Sequence, residues 1–182
     1  MILASQSPRR AELLRLITPD FEVIPADVDE TPSPNERPDA YVERLALMKA
    51  QAIALRNPTQ LVLAADTVVI QDGELLGKPL DEADAIRMLC QLSGRAHQVK
   101  TGVAVIRGQH VRSIVVTTRV VMRVVTDQEM RAYWHTGEPR DKAGGYGIQG
   151  LAARFIASIE GSYTNVVGLP LVETEALLND AS

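Results

Sequence analysis

Residues 97–106 and 111–125 form two long runs dense in valine and threonine, joined around Gly108. Branching at Cβ restricts χ1 and suits the pleated surface of a strand better than a helix. The two runs are therefore predicted to pair as an antiparallel ribbon. A lone ribbon is marginal in water, so the rest of the chain has to supply further strands and a cover for their apolar faces.

The flanking sequence offers both. Residues 2–4 are apolar and read as a short strand, and Ser7 and Pro8 then suit the cap and first position of a helix carrying Ala11, Leu13 and Leu14. A second short strand is predicted at 21–24, followed by a loop over 27–38 that holds three prolines and several acids. Tyr41, Leu45, Met48 and Ala52 recur every three or four residues, which predicts a helix with Glu43, Arg44 and Arg56 left to solvent and Asn57-Pro58 ending it. Residues 61–65 and 68–70 flank Asp66 and Thr67 as a buried strand, and Asp72-Gly73 turns the chain back through 74–76. Residues 81–92 have helical periodicity with Ser93-Gly94 as a stop. Thr126 and Glu129 have the spacing of a capping box for a helix reaching Trp134. A glycine-rich stretch over 137–150, a last strand at 155–159 and a closing helix at 171–178 complete the order. Alternating strands and helices predict an α/β or α+β domain with a mixed sheet, and 182 residues fit one domain, 1–182.

Composition narrows the function classes. A chain that is 46% hydrophobic and 23% charged is neither disordered nor fibrous. A net charge of -4 and an aromatic content of 4% argue against a nucleic-acid partner, which needs a basic surface or stacking platforms. The longest apolar stretches are short or interrupted by Arg119 and Arg123, so no membrane span is expected, and the amino terminus lacks a basic leader, so the cytoplasm is the expected compartment. Cys90 is the single cysteine and lies in an apolar run, which predicts a buried, inert thiol.

Five segments could carry chemistry. Ser5-Gln6-Ser7-Pro8-Arg9-Arg10 delivers hydroxyls and guanidiniums to a helix start, where free N–H groups and the dipole favour phosphate, although a plain capped helix explains it equally well. Asp66 inside an apolar run is costly unless it meets a cation or serves as a base, the alternative being a turn-forming carboxylate. Asp27-Val28-Asp29-Glu30 is dense enough for a hard cation such as Mg²⁺, yet taken alone reads as a solvated loop. Lys49 and Lys78 could hold phosphate oxygens, though each alone reads as a surface lysine, and His97 lacks a ligand partner and reads as structural. The glycines of 141–150 would let backbone approach a ligand, with Tyr146 and Gln149 offering a ring and an amide. Cations for phosphate and carboxylates for metal together suggest metal-assisted chemistry on a polyphosphate, and no Gly-x-Ser-x-Gly elbow competes.

The ordered set Ser5-x-Ser7-Pro8-Arg9-Arg10, Asp29-Glu30, Lys49, Ala65-Asp66-Thr67, Gly77-Lys78-Pro79, Ser93-Gly94-x-x-His97, Asp141-Lys142-Ala143-Gly144 and Gly161-Ser162-Tyr163-x-Asn165-Val166-Val167-Gly168-Leu169-Pro170 resembles the Maf family of nucleotide pyrophosphatases over nearly the whole chain. The resemblance implies an α/β fold on an elongated mixed sheet flanked by helices, with two lobes and a cleft, related to the inosine triphosphate pyrophosphatases, and commonly a homodimer. It implies Asp66 as proton acceptor for water attacking an α-phosphorus, Arg10, Lys49 and Lys78 as phosphate-handling cations, and Glu30 beside a divalent cation, Mg²⁺ or Mn²⁺. Ser5 and Ser7 belong to the same phosphate-facing segment, and Glu30 with Asp66 are the implied metal carboxylates. Tyr146-Gly147-Ile148-Gln149-Gly150 resembles the branch acting on dTTP and UTP, with Arg9, Thr67 and Gln149 at its specificity positions; Gly145 departs from that branch, where alanine is expected. The alternatives are the branch acting on 7-methyl-GTP and a nucleotide-binding regulator of cell division and septum formation.

Overall fold

Ile2 and Leu3 are buried on both faces, and they form β1 (Ile2–Leu3) in the computed structural model, which describes residues 1–181. A strand apolar on both faces belongs inside a sheet. β1 accordingly pairs in parallel on both sides, Ile2 lying opposite Glu22 of β2 (Glu22–Val23) and Val62 of β3 (Val62–Gln71). Parallel neighbours need crossover connections, which α1 (Pro8–Leu14) and α2 (Pro38–Ala54) supply. Ser7 caps α1 with Pro8 in its first turn, as the sequence suggests, whereas α2 starts at Pro38, inside the expected loop, because a proline is tolerated where the N–H has no partner.

β3 runs unbroken through Asp66 and Thr67 and then reverses at Asp72 and Gly73, whose φ values of 51° and 82° are the pair a two-residue hairpin turn requires. The returning strand, β4 (Glu74–Leu76), pairs antiparallel with Val69 opposite Leu76. Next comes α3 (Glu82–Leu92), capped by Asp81. The two valine-rich runs become β5 (Ala96–Arg107) and β6 (His110–Met122), neighbours in the sheet whose two-residue connection leaves only the antiparallel arrangement. The capping box of Thr126 and Glu129 is present and starts α4 (Asp127–His135). Three 3₁₀ turns, Glu138–Asp141, Ala143–Gly145 and Leu151–Phe155, occupy the glycine-rich stretch and its end. β7 (Ile156–Glu160) then pairs antiparallel with β6, Val120 opposite Ile159. A short α5 (Tyr163–Val167), not expected from sequence, and α6 (Leu171–Asp180) follow. Strand order is β2-β1-β3-β5-β6-β7 with β4 on β3, a mixed sheet flanked by helices. None of the helices is long and apolar enough to cross a membrane among the described residues.

The chain divides into two compact units, and β3, β5 and β6 each contribute residues to both. The first takes residues 1–67, residues 101–116 and the segment from Gly168 onward. Its core packs Ala46, Ala50 and Ile53 of α2 against Ile2, Val62, Ala64, Ala104 and Ile106. α2 approaches β5 so closely that a Cβ on Gly102 would collide with the Val42 carbonyl, which makes glycine the residue that fits. The second unit takes 68–100 and 117–167. There Met88, Leu89 and Leu92 of α3 pack with Met122, Met130, Tyr133 and Phe155.

Three expectations about burial need correction. The buried stripe of α2 is Val42, Leu45, Ala46, Lys49, Ala50 and Ile53, so Tyr41, Met48 and Ala52 are only half-buried and the stripe contains a lysine. Glu43 and Arg44 are half-buried rather than left to solvent, with Ser113 donating to Glu43 across 2.6 Å. Cys90 is exposed, not buried, because Ala85, Met88, Leu89 and Leu92 turn one face of α3 inward and position 90 falls on the other side. Its Sγ donates to the Met130 sulfur at 3.6 Å.

Candidate active site

Alternation along β3 decides where its polar residues go. Asp66 has the parity of Val62 and Ala64, both of which pack under α2, so its carboxylate faces that helix. Lys49 stands in the buried stripe of α2, one turn from Leu45 and one from Ile53, and is thereby aimed at the same point. Its Nζ lies 2.6 Å from Asp66 Oδ1 and 2.6 Å from Glu30 Oε1, so one ammonium ties together two carboxylates that are 36 residues apart in sequence. Lys49 and Asp66 are each 8% exposed, while the Glu30 side chain is half-exposed. A buried lysine or aspartate is stable only in such company.

Thr67 has the opposite parity and meets α1 instead. Its Oγ1 accepts from Arg10 Nη2 at 3.0 Å and lies 2.9 Å from the Thr101 hydroxyl on β5. Arg10 also donates from Nε to the Gly168 carbonyl at 2.8 Å and from Nη1 to Ser5 Oγ at 3.4 Å. Ser5 Oγ accepts the Ser7 N–H at 3.1 Å, and Ser7 Oγ accepts the Arg10 N–H. The start of α1 and the strand end before it are thus laced into a single network around one guanidinium. Burial pulls the pKa of Arg10 below its ordinary value, the charges of Asp66 and Glu30 oppose that pull, and neighbouring Arg9 adds to it. The guanidinium stays charged regardless. Arg9 itself is half-buried beside it.

The first unit therefore brings together Ser5, Ser7, Arg10, Glu30, Lys49, Asp66 and Thr67, with Arg9 adjacent. Lys78 and Gln149 belong to the second unit, and both are exposed. Sequence reasoning missed Thr101, whose hydroxyl is fully buried, since a threonine within a β-branched run carries no distinguishing signal. Gly168 falls within the last segment of the resemblance, but the role of its carbonyl went unread, because backbone groups leave no trace in composition.

Gln149 sits on a segment fixed at both ends. The Tyr133 hydroxyl accepts the Gly147 N–H at 3.0 Å and donates to Glu138 Oε1 at 2.7 Å, while Glu138 Oε2 accepts the Leu151 N–H at 3.0 Å. Tyr146 does not offer its ring to a ligand as the sequence suggested. It is buried, its hydroxyl lies 2.6 Å from His97 Nε2, and burial raises its pKa. His97 is buried too, and desolvation pulls it down to about 4, so it is a neutral structural partner of Tyr146.

Asp141 is exposed and Lys142 half-buried, and the two are paired at 2.8 Å. For a divalent cation, the carboxylates of Glu30 and Asp66 are hard oxygen donors held together by Lys49. Among the described residues no group of three or more His, Cys, Asp or Glu side chains forms a complete metal cage. Two carboxylates completed by phosphate oxygens are the usual arrangement for Mg²⁺ in nucleotide chemistry, and the donor set fits that group.

With this geometry in view, the family described as Maf-like protein matches residues 1–181. The chain belongs to the Maf-like family. Among its Maf-like relatives, the dTTP/UTP pyrophosphatase of Vibrio parahaemolyticus is 50% identical over 181 residues, covering 99% of this chain and 96% of that protein. The dTTP/UTP pyrophosphatase of Myxococcus xanthus is 53% identical, covering 100% of this chain and 92% of the relative. That of Pseudoalteromonas translucida is 53% identical over 97% of this chain and 94% of its own length. The Staphylococcus aureus Ham1 protein superposes with a TM-score of 0.58 at 15% identity, covering 100% of this Maf-like chain and 98% of that one, which establishes a shared fold.

Proposed function

We propose that this Maf-like chain is a nucleoside triphosphate pyrophosphatase that hydrolyses dTTP and UTP to the monophosphate and pyrophosphate. The observation that carries the reading is the single ammonium of Lys49 joining Glu30 to Asp66, with the guanidinium of Arg10 coupled electrostatically to both acids. Three full-length relatives at 50% and 53% identity carry that activity in their names. Hydrolysis adds water across the α–β anhydride: a water oxygen bonds the α-phosphorus, the bridging P–O bond breaks, and pyrophosphate leaves.

Asp66 accepts the proton of that water, a role suited to a carboxylate withdrawn from bulk solvent and oriented by a charged hydrogen bond. Arg10 and Lys49 neutralise triphosphate oxygens, where catalysis is largely positioning and charge compensation. A bound Mg²⁺ or Mn²⁺, held by Glu30 and Asp66, would supply further charge neutralisation at those oxygens. Ser5 and Ser7 orient Arg10 and the start of α1 towards phosphate, and Arg9 adds a second guanidinium. By the resemblance, Lys78 contributes another phosphate cation and Gln149 pairs with the carbonyl and N–H edge of the pyrimidine. Thr67 acts through Arg10, since its hydroxyl is engaged there. The whole of 1–182 acts as one catalytic domain, as a homodimer in the cytoplasm, without a nucleic-acid partner.

Pyrophosphate release from dTTP, UTP, CTP and 7-methyl-GTP, measured with and without a chelator, tests reaction, base and metal together. Selective turnover of dTTP and UTP, abolished by chelation and restored by Mg²⁺, is expected. Preference for 7-methyl-GTP would move the chain to the other branch, and no turnover of any of the four would leave only a binding role.

A further inference from the structure

Residues 25–37 form neither helix nor strand, and Glu30 to Asn35 are exposed, yet this stretch delivers Glu30 to within 2.6 Å of a buried lysine. Something outside the stretch has to hold it. Its anchors come from one side of α2, where Tyr41 and Arg44 occupy successive turns. The Tyr41 hydroxyl donates to the Glu30 carbonyl at 2.9 Å. Arg44 grips Glu36 with two bonds, Nε to Oε1 at 2.6 Å and Nη2 to Oε2 at 2.7 Å, and donates from Nη2 to the Thr31 carbonyl at 3.2 Å. Glu36 in turn accepts the Ser33 N–H at 3.0 Å, and Asp29 accepts the Thr31 N–H at 2.9 Å. The Arg44 guanidinium also lies over the Tyr41 ring, 5.6 Å from its centroid.

We infer that Tyr41 and Arg44 are positioning residues for hydrolysis: together with Glu36 they clamp the acidic loop on α2, so that the Glu30 carboxylate stands beside Lys49 and Asp66. The inference rests on the proposed role of Glu30. Planar, bidentate pairing sets both the distance and the angle of the loop, which a single flexible ammonium would not do. The clamp faces the reaction site as well as the loop: burial first, then the charges of Asp66 and Glu30, push the Tyr41 phenol up to about 12. A carboxylate displaced by an ångström loses much of its contribution to a positioned reaction.

A purely structural clamp and a positioning clamp differ in their coupling to Glu30, and a double-mutant cycle reads that difference. Pyrophosphate release from dTTP is measured on the full-length protein carrying Arg44→Met, Tyr41→Phe or Glu36→Gln, each alone and combined with Glu30→Ala, with thermal unfolding of the same samples. In the wild-type background Arg44→Met is expected to lower kcat between about tenfold and a hundredfold, with smaller losses for Tyr41→Phe and Glu36→Gln. In the Glu30→Ala background the same three changes are expected to cost less than about twofold, since the group they position is gone. Equal losses in both backgrounds, or no loss in the wild-type background, would overturn the clamp while leaving the pyrophosphatase reading intact. If Glu30→Ala by itself leaves kcat unchanged, the role of Glu30 is wrong and the clamp has nothing to position. Should Arg44→Met unfold, Tyr41→Phe, which removes one oxygen, decides the matter on the same criteria.

Discussion

Lys49 donates to Asp66 across 2.6 Å while both residues are almost wholly withdrawn from water. Each charge offsets the cost of burying the other, but the two are not equally dependent. Lys49 has a second carboxylate in Glu30, so Asp66→Asn leaves the ammonium paired, whereas Lys49→Met leaves Asp66 as a buried charge without its ammonium. Lys49→Met is expected to destabilise by about 3–5 kcal/mol, and Asp66→Asn by about 1–3 kcal/mol. Urea unfolding of the two variants checks the order, and equal losses would show that Glu30 does not share the lysine in solution.

His97 makes stability depend on pH. Burial holds it at about 4, below its ordinary 6.5, so between those values the unfolded chain takes up a proton that the folded one refuses. Its contribution is complete above about pH 6.5 and is lost as pH falls towards 4, about 3 kcal/mol in all. Glu36 and Glu129, each held at about 2 by hydrogen bonds from Arg44 and Arg123, add their own loss only below the ordinary glutamate value of 4.5. Unfolding measured from pH 7 to 4.5 therefore isolates the histidine, and His97→Gln should flatten the slope across that window. An unchanged slope would mean that His97 is not buried neutral.

Gly102 is irreplaceable for a different reason. A Cβ there meets the backbone of α2 at Val42 and Glu43, not a side chain that could swing aside. Gly102→Ala is expected to lose about 1–3 kcal/mol by forcing helix and strand apart, read as a lowered Tm. A variant as stable as wild type would show that α2 sits farther from β5 than the structure places it.

Much of this was legible in the chain itself. Valine-rich runs at β5 and β6, the Asp72-Gly73 turn and the Thr126/Glu129 box appear where local chemistry puts them, because each is decided by residues within a few positions. Asp66 was conspicuous as a carboxylate inside an apolar run, and its burial bears out that reading of cost. Lys49 was harder. Alone it reads as a surface lysine, because an ammonium stays hydrated at little cost, yet the buried stripe of α2 takes it in. Only Lys49's place four residues from both Leu45 and Ile53 signalled this. Tyr146, buried like Lys49, and Cys90, exposed where burial is expected, escape the sequence for the same reason: loop and helix faces are assigned by tertiary packing, which no short window contains. The clamp of Tyr41, Arg44 and Glu36 depends on an irregular loop folding back on a helix, and no periodicity records that.

The most direct test is pyrophosphate release from dTTP by Asp66→Asn beside wild type, with thermal unfolding recorded on the same samples. Loss of at least about a hundredfold in kcat with a cooperative unfolding transition preserved is the expected result, since one proton acceptor is removed and its shape is kept. Turnover within about twofold of wild type in a folded Asp66→Asn protein would contradict the assignment of Asp66 as the base and, with it, the catalytic reading of the Lys49 cluster.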